Sequence, residues 1–290
     1  MSMNATERFT LGTARELMVR YGVSPKKALG QNFLVDPRVQ ARIVAAAKIE
    51  PTDEVIEIGP GLGAITAHLV TRAKRVWALE RDGELATVLE TEMATVPSLR
   101  IVRGDALDFD FASARKEAEG PFVLVGNLPY VITSPLMFQA MGAAGGGRVI
   151  KRAIFMVQKE FAQRMVAPPG NKVYGRLSVM IQQAAEVEIM FHVSAGAFLP
   201  PPAVTSSVVC LIPRPAPLAD PGDPARFDRL VREAFSGRRK MLRRSLEPAF
   251  GGERVAAALA RAGIEGTRRA EELSVLEFGA LSRALGMVDA

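Results

Sequence analysis

Asn127 and Tyr130 place an amide and an aromatic ring at the end of an apolar run, in GNLPY (Gly126–Tyr130). An amine on an aromatic ring is a weak nucleophile because its lone pair is delocalised into the ring. Two acceptors on its N–H bonds would favour localising that pair, and the Asn127 side-chain oxygen and the Leu128 carbonyl are the candidates. Pro129 restricts Leu128 to an extended backbone, while Tyr130 offers a stacking face. We predict a pocket for the amine of an adenine, with a simple proline turn as the alternative.

A glycine-rich turn, EIGPGLG, follows an earlier apolar run and would let a ligand approach the backbone closely. Its three glycines are Gly59, Gly61 and Gly63. Glu80 ends the next apolar run, where a carboxylate can accept hydrogen bonds from ribose hydroxyls. A nicotinamide cofactor is one alternative, because Gly59, Gly61 and Ala64 satisfy G-x-G-x-x-A. No hydride-handling acid or base is evident, which disfavours it.

Asp105 ends a third apolar run, in GDAL, and could accept the amino proton of an adenine. The glycine turn and the acids after the second and third runs together favour S-adenosylmethionine as the cofactor. All three features fall where open α/β sheets bind ligands, at the carboxyl ends of strands. The alternative is that Asp105 only caps the next turn.

The elements that must position these residues alternate between short apolar runs and helical stretches, such as Ile65–Thr71 and Gly83–Ala94. Such alternation predicts a parallel, doubly wound sheet. Two later runs, separated only by a loop, should pair antiparallel. The fold class is therefore α/β, a Rossmann-like seven-stranded class I methyltransferase sheet with a small C-terminal all-helical domain. The predicted strands are Val55–Gly59, Val76–Glu80, Leu99–Asp105, Phe122–Asn127, Ala153–Gln158, Val187–Val193 and Ser206–Pro213.

Composition and the spacing of apolar residues predict four segments along the chain. Residues 1–24 are an N-terminal extension in which ERFTLGTARELMVRYG predicts a short amphipathic helix that could dock on the core or touch RNA. The cofactor domain spans 25–213. A Pro-rich linker covers 214–223. After it, apolar residues at helical spacing predict a small helical domain over 224–290.

Composition narrows the class of protein. The chain has 290 residues, 48% of them hydrophobic, and a net charge of +6, which permits a polyanionic partner. No run of about 18 apolar residues predicts a membrane span. The single cysteine, Cys210, excludes an internal disulfide and suggests a cytoplasmic protein. His68 and His192 lack nearby ligands, so we expect no metal site, and we expect a monomer.

Several blocks in order resemble the KsgA family of small-subunit rRNA adenine N6,N6-dimethyltransferases. The match runs from Pro25 onward. The blocks are KKALGQNFLVD (Lys26–Asp36), EIGPGLGAIT (Glu57–Thr66), GDAL, GNLPY, VQKEFAQRM (Val157–Met165), GRLSV (Gly175–Val179), FLPPPAVTSS (Phe198–Ser207) and FSGRRKMLRRSL (Phe235–Leu246).

The resemblance implies further roles. Asn32 and Leu34 would close over S-adenosylmethionine, with Gln31 and Phe33 flanking them, and Gly59, Gly61, Glu80, Asp105 and Asn127 would complete the cofactor site. Phe198 would be a second stacking platform opposite Tyr130, although a buried aromatic that anchors its loop is the alternative. The implied reaction dimethylates two adjacent adenines in the 3′-terminal hairpin of 16S rRNA within a pre-30S particle. A large-subunit methyltransferase of the macrolide-resistance type and a non-catalytic assembly or transcription factor are the alternatives.

Two basic groups are predicted to contact RNA phosphates, although such charge runs are often only solvated faces. One precedes the GQNFL segment, and the other opens the helical domain. They comprise Lys26 and Lys27, and Arg238, Arg239, Lys240, Arg243 and Arg244.

Overall fold

The structure is a computed structural model that describes residues 11–128, 133–142, 149–237 and 240–287. Its strands are β1 Phe33–Leu34, β2 Glu54–Ile58, β3 Arg75–Glu80, β4 Leu99–Arg103, β5 Phe122–Asn127, β6 Ile150–Gln158, β7 Ala185–Val193, β8 Phe198–Leu199 and β9 Ser206–Pro213. Its α-helices are α1 Ala14–Tyr21, α2 Pro37–Ala47, α3 Thr66–Leu69, α4 Gly83–Glu92, α5 Phe111–Glu117, α6 Thr133–Gly142, α7 Lys159–Val166, α8 Arg176–Ala184, α9 Pro224–Ala234, α10 Leu242–Phe250, α11 Gly252–Ala262 and α12 Val275–Met287.

The main sheet has the strand order β4-β3-β2-β5-β6-β9-β7. The first five of these strands run parallel to their neighbours, and β9 runs antiparallel to β6. The order reverses direction beside β2, so the carboxyl ends of β2 and β5 lie at the switch point where such sheets bind ligands. The predicted α/β fold is confirmed.

The central strands β2 and β5 come unusually close at Gly126. A Cβ atom at this position would lie 2.9 Å from the main-chain oxygen of Ile58 on β2. Any larger residue would push the two strands apart, so Gly126 sets the approach of β5 to β2 just before Asn127. Residues 54–58 of β2 are all buried, as expected for a strand covered on both faces.

The GQNFL block leads into α2 through a short strand. Phe33 pairs with Leu199 and Leu34 pairs with Phe198, so β1 and β8 form a two-stranded antiparallel sheet. The helix then starts at Pro37, because the Asp36 carboxylate accepts a hydrogen bond from the Arg38 amide at 2.8 Å. The sequence blocks around Asn32 and Phe198 are thereby brought together, which the patterns alone did not predict.

The described residues form two compact units. One lies within Met1–Lys159 and Ile189–Leu211, and the other within Glu160–Glu188 and Ile212–Ala290. The predicted boundary at 214–223 therefore does not coincide with this division. The reason is that Tyr174 and Val179 are buried in one apolar core with the C-terminal helices.

The second unit is helical around that core, which includes Phe227, Leu246 and Phe278. Its Pro-rich stretch is ordered by Gln183, whose carboxamide accepts from the Ala219 amide at 3.0 Å and donates to the Ala219 carbonyl at 2.7 Å. Residues 214–223 thus pack as part of the unit rather than as a loose spacer.

Candidate active site and cofactor cavity

A cavity of about 200 Å³ opens at the carboxyl ends of β2, β3, β4 and β5. It is lined by all the predicted cofactor residues and by Leu128 and Phe198. The predicted residues on its wall are Asn32, Leu34, Gly59, Gly61, Glu80, Asp105, Asn127, Leu128 and Phe198, together with Gln31 and Phe33. The structure therefore brings together, at one edge of the sheet, residues that lie far apart in the sequence.

The glycine turn has the backbone that its sequence predicts. Gly59, Gly61 and Gly63 have φ values of +67°, +60° and +82°, a region that side chains other than glycine rarely adopt. A Cβ atom at Gly61 would also lie 3.3 Å from the ring of Phe33. The turn can therefore approach both a ligand and the GQNFL segment closely.

Glu80 is buried at the end of β3 and is held by two backbone amides. Gly61 donates to its Oε2 at 3.0 Å, and Asp82 donates to its Oε1 at 2.8 Å. Burial raises the pKa of Glu80, while these backbone hydrogen bonds lower it in part. The carboxylate is oriented toward the cavity and tied to the glycine turn.

Asp105 caps the turn that follows β4 and also lies on the cavity wall. Its Oδ1 accepts from the Leu107 amide at 3.0 Å, which caps the following turn, and its Oδ2 lies 3.1 Å from Arg81. The cap does not remove it from the site, because Asp105 also lines the cavity. Adenine recognition by Asp105 stays a prediction.

Asn127 is oriented by the GQNFL segment. Its Nδ2 donates to the main-chain oxygen of Asn32 at 3.0 Å, and the Asn32 side chain in turn donates to the Gly30 carbonyl at 3.1 Å. This leaves the Asn127 carboxamide oxygen as the acceptor of that side chain. Leu128 follows with its amide donating to Met156 at 3.2 Å. Pro129 and Tyr130 lie outside the described residues.

Phe198 lies on the cavity wall but is only 5% exposed. It packs in the apolar core with Leu34 and Val193 and pairs with Leu34 across β1 and β8. These contacts correspond to the alternative in which a buried aromatic anchors its loop. Stacking of a base on Phe198 remains a prediction.

Two buried acids, one on the cavity wall and one beside it, are not predicted by the sequence patterns. Glu57 is buried inside β2 on the cavity wall, and its Oε2 has no hydrogen-bond partner among the described residues. Burial raises the pKa of Glu57 to about 8, with the charge of Glu80 adding to the effect. The signal in the sequence was an acid inside an otherwise apolar run. Asp82, two residues after Glu80, is the second missed acid.

The N-terminal helix α1 forms part of the wall. Ala14 lines the cavity, and Leu17 is fully buried against Phe33 and Leu62. Arg20 and Tyr21 both bind Glu92 of α4, each at 2.7 Å. Of the two predicted alternatives for this helix, the structure has it docked on the core.

The predicted RNA-contacting residues differ in how they are held. The Lys26 ammonium lies 2.9 Å from Asp82 and 2.8 Å from Glu84, whereas Lys27 is exposed. Arg243 pairs with Glu247 at 2.7 Å on α10, and Lys240 and Arg244 are exposed. Arg238 and Arg239 lie outside the described residues.

Neither a metal centre nor a membrane span is found in the part of the chain that the structure describes. No group of three or more His, Cys, Asp or Glu side chains there could hold a metal ion. No described helix is long and apolar enough to cross a membrane.

Comparison with known proteins decides the family. Residues 22–285 match the family model described as ribosomal RNA adenine dimethylase. The chain belongs to this family. The ribosomal RNA small subunit methyltransferase A of Anaeromyxobacter dehalogenans (strain 2CP-C) is 41% identical over 291 residues, covering 97% of this chain and 100% of that protein. The protein of the same name from Xylella fastidiosa (strain Temecula1) is 42% identical over 264 residues, covering 91% and 97%.

Two solved structures resemble the chain over most of its length. A dimethyladenosine transferase from Plasmodium falciparum has a TM-score of 0.70 at 26% identity, covering 85% of this chain and 94% of that one. The 23S rRNA methyltransferase ErmE has a TM-score of 0.66 at 30% identity, covering 88% and 100%. The predicted adenine dimethylase family, fold and enzyme class are confirmed.

Adenine dimethylases of this kind use S-adenosylmethionine, and the cavity fits that cofactor. Three acidic side chains, Glu57, Glu80 and Asp105, line one small space, and their oxygens favour a ligand rich in hydrogen-bond donors. The cofactor carries such donors on its adenine amine, its ribose and its ammonium group. The unpartnered Oε2 of Glu57 is a buried acceptor that a ligand donor could satisfy.

Proposed function

We propose that this protein transfers methyl groups from S-adenosylmethionine to the N6 amines of two adjacent adenines in the 3′-terminal hairpin of 16S rRNA, giving dimethyladenosines during assembly of the small subunit. The observation that carries the proposal is the orientation of Asn127. The Asn127 Nδ2 donates to the Asn32 carbonyl at 3.0 Å. The Asn127 side-chain oxygen is therefore the acceptor beside the cofactor cavity. The names of the curated relatives support the small subunit as the substrate.

The chemistry asks for positioning rather than for a strong base. The cofactor supplies a methyl group on a sulfonium, which is already activated for transfer. Asn127 and the Leu128 carbonyl hold the amine by its N–H groups, and the rigid ends of β2 and β5 keep that point fixed against the cavity. Correct placement alone can lower a barrier by about 7–11 kcal/mol. Pro129 and Tyr130 complete the amine pocket in this proposal.

Glu80 and Asp105 hold the cofactor in this proposal. Glu80 accepts from the ribose hydroxyls, and Asp105 accepts from the adenine amine. Both acids lie at strand ends on the cavity wall, and the positive φ values of Gly59 and Gly61 keep the turn open to a ligand. The cofactor then lies between the turn and the segment that carries Asn32 and Leu34.

RNA contact is assigned to the exposed cations. Lys27, Lys240 and Arg244 are exposed and could neutralise phosphates. Such contacts would make RNA affinity fall steeply with salt concentration. The slope of log affinity against log salt concentration should become steeper by about one unit for each phosphate contacted.

A second candidate is methylation of large-subunit RNA. It is favoured by the likeness to the 23S rRNA methyltransferase ErmE, which is 30% identical and covers 88% of this chain. The curated small-subunit relatives at 41% and 42% identity favour the first candidate.

The test is transfer of a labelled methyl group to unmethylated 30S particles, naked 16S rRNA or 50S particles, with the label mapped by nucleotide. Cofactor binding is measured separately by calorimetry. Label on two adjacent 16S adenines is the expected result. Label on 23S rRNA would support the second candidate, and cofactor binding without transfer to any RNA would contradict an enzymatic role.

The role of Asn127 is tested in the same assay with Asn127→Ala. Transfer should fall far more than cofactor affinity, because the amine loses an acceptor while the acids of the cavity remain. Equal loss of both would mean that Asn127 serves only the cofactor. Asn171→Ala, at an exposed position in the second unit, is the matched control.

A further inference from the structure

The segment Lys26–Leu34 covers the cavity with few main-chain bonds to the rest of the protein. Among the residues that the structure describes, only Phe33 and Leu34 of this segment pair with another strand, over two residues of β8. The preceding residues 27–29 form a single 3₁₀ turn whose hydrogen bonds stay within the segment. Side chains must therefore hold residues 26–31 in place.

One carboxylate binds both ends of that turn. Asp82 accepts from the Lys26 ammonium at 2.9 Å through Oδ1 and from the Gln31 side chain at 2.9 Å through Oδ2. The Gln31 side-chain oxygen also accepts from the main-chain amide of Lys26 at 2.8 Å, which closes a ring of hydrogen bonds through three residues. Asp82 is 5% exposed, so these charge-assisted bonds are shielded from water on the carboxylate side.

The same residue is fixed on its own side by the cavity wall. The Asp82 amide donates to Glu80 at 2.8 Å, and its Oδ1 accepts from the Glu84 amide at 3.0 Å at the start of α4. Burial alone would raise the pKa of Asp82, but the hydrogen bonds from Lys26, Gln31 and Glu84 hold it below its ordinary value. The carboxylate is thus a charged, rigid anchor next to the acid proposed to hold the ribose.

We propose that Asp82 is a positioning residue that fastens the segment Lys26–Leu34 across the cofactor cavity through Lys26 and Gln31, and so slows the departure of the cofactor. The inference rests on the proposed function, in which the cavity holds S-adenosylmethionine. The segment carries Asn32, whose carbonyl orients Asn127 at 3.0 Å, so the same fastening supports the amine pocket. Lys26 then acts inside the enzyme, and the role of a phosphate contact falls to its neighbour Lys27.

The test compares Lys26→Met, Asp82→Asn and the double variant with the wild type in stopped-flow dissociation of S-adenosylmethionine. Each single variant should dissociate faster by on the order of 10-fold, the size of one shielded charge-assisted hydrogen bond. The double variant should dissociate more slowly than the product of the two single effects would give, because both changes remove the Lys26–Asp82 contact. Lys26→Arg should restore slow dissociation, since the cation is kept.

Lys27→Met is the matched control for cofactor dissociation, because its exposed ammonium lies one residue away. It should leave the dissociation rate within about twofold of the wild type while weakening the salt dependence of RNA binding. Unchanged dissociation in Lys26→Met, or additive effects in the double variant, would overturn the proposal.

A second readout separates this inference from the proposed function. Amide hydrogen exchange of residues 26–34 in the cofactor-free protein should speed up in Lys26→Met and Asp82→Asn, with melting temperatures close to that of the wild type. A wild type that fails to bind the cofactor would refute the proposed function, and the exchange would still decide whether Asp82 holds the segment. Unchanged exchange would overturn the positioning role.

Discussion

Two stretches of chain line the same cavity and are held in different ways. The turn Gly59–Gly63 is shaped by its own backbone, with three glycines at positive φ. The segment Gly30–Leu34 is shaped by distant side chains and main-chain atoms, through Asp82, Asn127 and Leu199. The first belongs to both the fold and the site. The second can loosen without unfolding the sheet.

This difference predicts that changes in the turn lower stability and affinity together, while changes around the segment lower function alone. The four variants below test that division, from the largest expected effect to the smallest.

Gly63→Ala should lower the free energy of unfolding by about 3 kcal/mol, because it adds backbone strain to overpacking. The φ of Gly63 is +82°, and an added Cβ would lie 2.8 Å from Leu89 and 2.9 Å from Leu11. Urea denaturation followed by circular dichroism measures the loss. Gly22→Ala is the matched control, with a φ of +65° and nothing within 4 Å of the new Cβ. An equal loss in both variants would mean that packing against the turn contributes nothing.

Asn127→Asp should slow methyl transfer by about 100-fold, equivalent to about 2.7 kcal/mol in the barrier. A carboxylate oxygen would replace Nδ2 opposite the Asn32 carbonyl, so a hydrogen bond of 3.0 Å becomes a repulsive contact. Unfolding should change by less than about 1 kcal/mol, because the pairing of β1 with β8 and the burial of Leu34 stay in place. Single-turnover transfer and denaturation are measured side by side, with Asn171→Asp as the control. A large loss of stability would contradict the proposal that changes around the segment lower function alone.

Glu57→Gln should stabilise the protein increasingly as pH rises. The ordinary pKa of 4.5 applies in the unfolded chain, and burial raises it to about 8 in the folded state. Between those values the folded state binds the extra proton, so folding of the wild type weakens with rising pH. The advantage of the neutral amide should grow by on the order of 2 kcal/mol between about pH 6 and pH 8.

The check is denaturation of both proteins across that pH range, with Glu188→Gln on the exposed face of β7 as the charge control. A constant difference between Glu57→Gln and the wild type would show that the carboxyl titrates normally.

Phe33→Leu should give the smallest effect, because Phe33 lies where the two stretches meet. Its ring would be 3.3 Å from a Cβ at Gly61, and a leucine keeps most of that apolar contact. A loss of about 1 kcal/mol in unfolding is expected, with a several-fold weaker cofactor affinity. Calorimetry for the cofactor and thermal melting measure the two effects. An unchanged cofactor affinity would mean that the segment does not contribute to cofactor binding.

Much of the fold could be predicted from short-range patterns. The parallel sheet follows from apolar runs that alternate with helical stretches, and the start of α2 follows from Asp36 before Pro37. The glycine turn and the acids Glu80 and Asp105 were placed correctly on one cavity wall. These signals depend on backbone preferences and on neighbours within a few residues, so they are visible in the sequence.

Lys26 shows where such patterns stop. Its position beside Lys27 predicted a phosphate contact, but its ammonium pairs with Asp82, which is 56 positions away. Phe198 is buried in the core, as expected for an aromatic that anchors its loop, but its pairing with Leu34 across β1 and β8 could not be inferred from a loop of prolines. The sequence patterns also do not predict the division between the two compact units. Tyr174 and Val179 join the C-terminal core through contacts between residues that are far apart in the sequence.

The amino-acid sequence alone therefore determined the fold class, the glycine turn, the strand-end acids and the family. The tertiary structure decided the orientation of Asn127 by Asn32, 95 positions away, the partner of Lys26 and the raised pKa of Glu57. Backbone geometry and capping act over a few residues. The protonation of a buried acid and the partner of a charge depend instead on which distant atoms surround it once the chain has folded.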